Sequence, residues 1–118
     1  NDVTAMPDGS IAFTTTATGR SLDDFYLEVL EHRSSGLLLR YDPARGEARV
    51  LARDLAMTNG LAATPDGMFL VAESAVYGVS LFSPTGERMA ELTGLPGFTG
   101  NVRASDRPER YWVTLLSP

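Results

Sequence analysis

Short β-rich runs separated by Gly- and Pro-containing corners occupy most of the chain. IAFTTT (11–16), GLLLRYD (36–42), EARVLA (47–52), MFLVAES (68–74), GVSLFS (78–83), RMAEL (88–92) and RYWVTLL (110–116) carry β-branched, aromatic and apolar residues between turn signals, the pattern of strands. The corners PDG (7–9 and 65–67) and SPTG (83–86) explain why the chain reverses there: Pro presets the first corner angle and Gly accepts the positive φ of the tight corner. One segment departs from this pattern. In SLDDFYLEVLEHRSSG, Leu22, Phe25, Tyr26, Val29 and Leu30 recur at i, i+3, i+4, i+7 and i+8, which predicts a helix at about 21–33 within an inserted segment 21–35. Ser21 with Asp24 forms a capping box, and His32 and Arg33 suit the negative helix end.

The strand runs repeat. NDVTAMPDGSIAFTTT at Asn1 and NGLAATPDGMFLVAES at Asn59 share Asn, Ala and the Pro-Asp-Gly corner, and keep apolar character at Val3/Leu61, Ile11/Phe69 and Phe13/Val71. A decayed copy, NVRASDRPERYWVTLL, follows 42 residues later, with Asn101, Ala104, Tyr111 and Val113 opposite Asn59, Ala62, Phe69 and Val71. The helical insertion accounts for the longer first interval. A period near 42 is that of a four-stranded propeller blade, roughly 40–45 residues. The expected fold is all-β: one partial propeller over 1–118, with blade boundaries near 59 and 101 and one inserted helix. In such a fold the innermost strands line a tunnel, and Asn1, Asn59 and Asn101 would each stand immediately before one.

Propellers close at about four to eight blades, whereas 118 residues supply two to three such units. The chain is therefore expected to be part of a longer protein, or of a ring completed by several copies; opening inside a repeat favours the first. Uncovered sheet faces would expose strand edges and apolar surface, so self-association, or covering by further blades of the same chain, is expected.

Composition narrows the function classes. Hydrophobic residues make up 43% and charged ones 21%, enough for a packed core, and no run approaches the roughly 18 apolar residues of a membrane span. There is no cysteine, hence no disulfide framework or thiolate metal site. The net charge of −5 is spread along the chain with no basic stripe to track phosphates, so nucleic acid is not an expected partner. Every base other than the one His is Arg, the usage of a GC-rich genome; a soluble bacterial protein of cytoplasm or periplasm is the expectation.

From end to end the chain resembles the strictosidine synthase-like proteins, relatives of the paraoxonases and of the regucalcin-type gluconolactonases. The carrying stretches are NDVTAMPDGSIAFTTT, the run from SLDDFYLEVLEHRSSGLLLRYDP to TNGLAATPDGMFLVAES, and LPGFTGNVRASDRPERYWVTLLSP. The resemblance implies a six-bladed propeller and a small-molecule substrate. In the hydrolytic members it further implies a calcium near the tunnel mouth, matched here by Asn1, Asn59 and Asn101, and a second, structural calcium with a ligand matched by Asp2. Oxygen ligands of this kind suit a hard cation. Such an ion would act as a Lewis acid on a lactone, ester or phosphoryl oxygen while water attacks. Where the hydrolases write an acid before the third Asn, this chain has Gly100-Asn101, the pair that the metal-free strictosidine synthases carry.

Plainer roles compete for the same residues. Asn59-Gly60 is also a standard turn pair, so turn and ligand stay open for Asn59, and Asn101 reads simply as structural. Asp8 and Asp66 form turns; Phe69, Tyr111 and Trp112 read as blade core; His32 suits the end of the inserted helix; and Glu73 carries no assigned role. A single His and no GxSxG leave no serine triad to argue, and no catalytic residue is assigned. Three functions follow: a calcium-dependent lactonase or arylesterase-like hydrolase, a metal-free amine–aldehyde condensing enzyme, and a noncatalytic propeller segment for binding or assembly.

Overall fold

The computed structural model describes residues 2–15 and 36–116, so Asn1 and the predicted helix with His32 lie outside the described residues. Among the described residues, ten strands form three antiparallel sheets in chain order. The first sheet comprises β1 (Val3–Ala5), β2 (Ile11–Thr15), β3 (Gly36–Asp42) and β4 (Glu47–Leu55); the second, β5 (Thr58–Ala63), β6 (Phe69–Glu73), β7 (Gly78–Phe82) and β8 (Arg88–Leu92). The third is the two-stranded pair β9 (Phe98–Ala104) and β10 (Tyr111–Leu116). Each sheet is a meander, which short turns between consecutive strands allow.

The repeated corners fold alike. In the turns after β1, β5 and β7, Gly9, Gly67 and Gly86 have φ of 88°, 84° and 94°. Each glycine N–H donates back across the corner to Met6, Thr64 or Ser83, and each of those residues donates its own N–H to the residue after the glycine. The side-chain trimming differs. Asp8 accepts from the N–H and hydroxyl of Ser10 and pairs with Arg40, whereas Asp66 is held by the Thr64 hydroxyl. These Ser10 bonds and the Arg40 charge keep the Asp8 carboxyl below its ordinary value.

The sheets stack face to face. Leu38 and Leu55 from the first sheet meet Leu61, Phe69, Val71 and Phe82 from the second in one buried cluster. Ala62 and Ala72 meet Val102 in the next, with Tyr111 and Val113 packed against it. Strand alternation explains why Trp112 is no core residue: it lies between two positions that face the second sheet, and is 70% exposed. Val3 is 63% exposed although its counterpart Leu61 is buried, because no described sheet covers that side of β1.

Candidate functional site

Cross-strand register fixes which residues of β1, β5 and β9, the first strands of the three sheets, are equivalent. Val3 pairs with Phe13, Leu61 with Val71 and Val102 with Val113, so Val3, Leu61 and Val102 occupy one position. Asp2, Gly60 and Asn101 therefore occupy the position before it, and Asn59 is matched by Gly100 rather than by Asn101. A second observation agrees. Asp2 N–H donates to Thr14 Oγ1 at 3.2 Å and Asn101 N–H donates to Thr114 Oγ1 at 2.8 Å, two hydroxyls at equivalent points of β2 and β10. The ungapped repeat thus slips by one residue in the third unit.

Asn59 and Asn101 lie inside β5 and β9 rather than ahead of them. Gly60 does not have positive φ, so Asn59-Gly60 is no turn pair. Instead the ladder is irregular at the same place twice: between Thr58 and Leu61 on β5, and opposite the Val113–Leu115 shift on β9. Such bulges bend a strand and re-aim its side chains. At this point the two strands nearly touch. A Cβ at Gly60 would stand 2.5 Å from Val102 N and 2.6 Å from the Asn101 Cα, and closer still to the Gly100 carbonyl. Hydrogen bonds to described neighbours use the main chains: Asn59 O accepts from Thr14 Oγ1 at 3.0 Å, and Asn101 N donates to Thr114.

Asp2 reaches across to the next strand, where Gly60 has no counterpart side chain. Its Oδ1 accepts from Val3 N at 2.9 Å, and its Oδ2 accepts from Leu61 N at 3.0 Å and from Arg103 Nη1 at 2.9 Å. Burial pushes this carboxyl up, but the Arg103 bond and the two N–H groups outweigh that and hold it below its ordinary value.

Glu73, which the sequence left without a role, is the most engaged acid. It is 3% exposed. Oε1 accepts from Ala56 N at 3.0 Å and Oε2 from Arg88 Nη1 at 2.7 Å, with the Ser80 hydroxyl also donating to Oε2. Arg88 in turn lies over the Phe82 ring, 4.9 Å from its centroid. Burial raises the Glu73 pKa; the Arg88, Ser80 and Ala56 bonds lower it by more, so the group stays ionised. With every donor already on it, Glu73 holds the Ala56–Met57 corner, where Met57 has φ of 55°, and so places Asn59 two residues on. Ser74 N and Ala75 N donate to the Met57 and Ala56 carbonyls of the same corner.

Among the described residues no three His, Cys, Asp or Glu side chains form a group able to hold a metal. The amides of Asn59 and Asn101 suit calcium in kind, as neutral oxygen donors, and fall short in number, because calcium takes six to eight oxygens.

Comparison with known proteins places the chain. The family model for strictosidine synthase matches residues 1–80, and the chain belongs to that family. Strictosidine synthase-like 6 of Arabidopsis thaliana is 33% identical over 117 residues, covering 98% of this chain and 31% of its own length. The adipocyte plasma membrane-associated protein of Rattus norvegicus is 36% identical over 121 residues, covering 96% of this chain and 31% of its own. The chain thus spans about a third of these relatives. An X-ray structure of a protein provisionally described as a gluconolactonase superposes with a TM-score of 0.69 at 24% identity, over 98% of this chain and 41% of its own. The sheets are accordingly β-propeller blades, two of four strands and part of a third. No helix among the described residues is long and apolar enough to cross a membrane.

Proposed function

We propose that the protein to which this chain belongs is a propeller enzyme that hydrolyses small lactones or esters at the tunnel mouth, with calcium held by the amide oxygens of Asn1, Asn59 and Asn101. What carries the reading is the twin bulge: β5 and β9 break their ladders side by side at Asn59–Gly60 and Gly100–Asn101. The name of the superposing structure and the resemblance to the hydrolytic relatives support the substrate class. Bound calcium would supply a Lewis acid that polarises the scissile carbonyl and stabilises the charge developing as water attacks. The chain's own part is positional. Thr14 and Thr114 fix the main chains of Asn59 and Asn101, Gly60 lets the two strands approach, and the Glu73 network sets the corner that leads into β5. Carboxylates completing the shell would come from the rest of the protein. The test is calorimetric titration of the full-length protein with calcium, alongside turnover of aryl esters and lactones with and without EGTA. Calcium-dependent turnover lost in Asn59→Ala supports the reading; full activity in EGTA overturns it.

Gly100 favours a second reading. It occupies the position of Asn59, so no acid stands there, and the neighbouring carboxylate, Asp2 just before β1, already carries a guanidinium. This suits metal-free condensation of an amine with an aldehyde. Condensation unaffected by EGTA, without ester or lactone turnover, would establish it, and a folded protein inert in both assays would point to binding or assembly.

A further inference from the structure

The carboxylate of Asp2, immediately before β1, is neutralised from within the chain. Asp2 is on the first blade, the N–H it accepts from, Leu61, is on the second, and its cation, Arg103, is on the third. We infer that Arg103 is the permanent counter-ion of Asp2, so that the second cation position implied by the resemblance is filled by this chain's own guanidinium, and that the pair locks β1, β5 and β9 into one inner rim. Three features carry this. The carboxylate offers about four lone-pair sites, and three are taken by Val3 N, Leu61 N and Arg103 Nη1. The guanidinium is itself anchored, because the same Nη1 donates to Val102 O at 2.7 Å. The Asp2 side chain is 15% exposed and that of Arg103 59%, so the guanidinium is on the solvent side of the carboxylate it covers.

The equivalent positions explain why only one such pair exists on these strands. Between the second and third blades the place of Asp2 is taken by Gly60, where a side chain would strike the backbone of Gly100–Val102. On β9 it is taken by Asn101, which brings no charge. A divalent ion at Asp2 would have no second acid among the described residues to share and would face the guanidinium of Arg103, which repels it.

The experiment compares Asp2→Asn, Arg103→Met and the double variant of the full-length protein by thermal unfolding, in EGTA and in millimolar calcium. Asp2→Asn is expected to lower Tm by about 2 °C in EGTA and Arg103→Met, whose side chain is 59% exposed, by about 1 °C, with the double variant no less stable than the weaker single, the signature of a coupled pair. The loss in Asp2→Asn is expected to be the same with calcium, and the number of calcium ions bound per chain to equal that of the unsubstituted protein. Arg103→Lys, which keeps the charge, should recover part of the Arg103→Met loss. An Asp2→Asn variant that is normal in EGTA and destabilised only in calcium, or that binds one calcium fewer, overturns the inference. Should Asp2→Asn not fold, Arg103→Met decides: equal stability to the unsubstituted protein in both buffers also overturns it. Because the count is relative, the result does not depend on whether the asparagines hold a calcium of their own.

Discussion

Gly60 on β5 and Asn101 on β9 come so near that a methyl group on the first would stand 2.6 Å from the Cα of the second. This closeness joins the second blade to the third, and it also places the two ladder irregularities next to each other. The atoms in the way belong to the backbone, so no rotamer change can relieve the clash.

Gly60→Ala is therefore expected to destabilise the full-length protein by about 3 kcal/mol, the upper part of the range for overpacking. Gly9→Ala serves as the contrast. Nothing lies within 4 Å of its added Cβ, and only the φ of 88° penalises it, which costs about 1–2 kcal/mol. Urea unfolding of both variants measures the difference; equal losses would mean that β5 and β9 are not in close register.

The buried pair under the Asn59 corner should be costly to break. Removing one partner of a buried ion pair typically costs about 3–5 kcal/mol, and Glu73→Ala also strips the acceptor from Ala56 N–H. About 3 kcal/mol or more is expected for that variant. Arg88→Met should cost a comparable amount, about 3 kcal/mol, because it leaves the carboxylate of Glu73, itself 3% exposed, without its cation. Chemical unfolding checks both losses, and either variant matching the unsubstituted protein in stability would mean that the pair does not hold the corner.

Acid should act through the same group. The folded Glu73 carboxyl titrates below its ordinary value of 4.5, so its contribution is complete above about that pH and is lost as pH falls through the lower folded value. Asp2 is depressed from 3.8 in the same direction. Comparing Glu73→Gln with the unsubstituted protein isolates Glu73: the gap between their urea midpoints should be constant from pH 7 to about 5 and narrow below pH 4.5. A gap that widens on acidification would reverse the assigned direction.

The repeats, the corner glycines and the strand order could be read from the residues because each rests on local chemistry: Pro and Gly at a corner, apolar residues every second position. What escaped depends on register. Matching Asn101 to Asn59 without a gap hid a one-residue slip, and both residues sit in a bulge, where the simple alternation of faces does not hold. The slip makes Gly100 the partner of Asn59 and puts Asn101 with Asp2. No local signal links Asp2 to Arg103 across nearly the whole chain, and Glu73 in VAES gave no sign of its donors, which come from Ala56, Ser80 and Arg88 on three other segments. The residue type of Trp112 alone suggests a core position, whereas its neighbours Tyr111 and Val113 set the face. The predicted helix at 21–33 lies outside the described residues.

Gly100 allows the proposed calcium chemistry to be strengthened by design. Its place on β9 is that of Asn59 on β5, so a carboxylate introduced there would add one negative charge beside the asparagine amides. The obstacle is a side chain: a Cβ at position 100 would stand 2.7 Å from Thr114 Oγ1, the atom that accepts from Asn101 N. Gly100→Asp alone should therefore disturb the rim, while Gly100→Asp with Thr114→Ala opens space for it. If the asparagines hold calcium, the double variant should bind it at least tenfold more tightly by calorimetry, about 1.4 kcal/mol, and Thr114→Ala alone should bind no better than the unsubstituted protein. Should the double variant fold and its calcium affinity stay unchanged, the asparagine oxygens are not the ion's ligands, and the metal-free reading of the site takes its place.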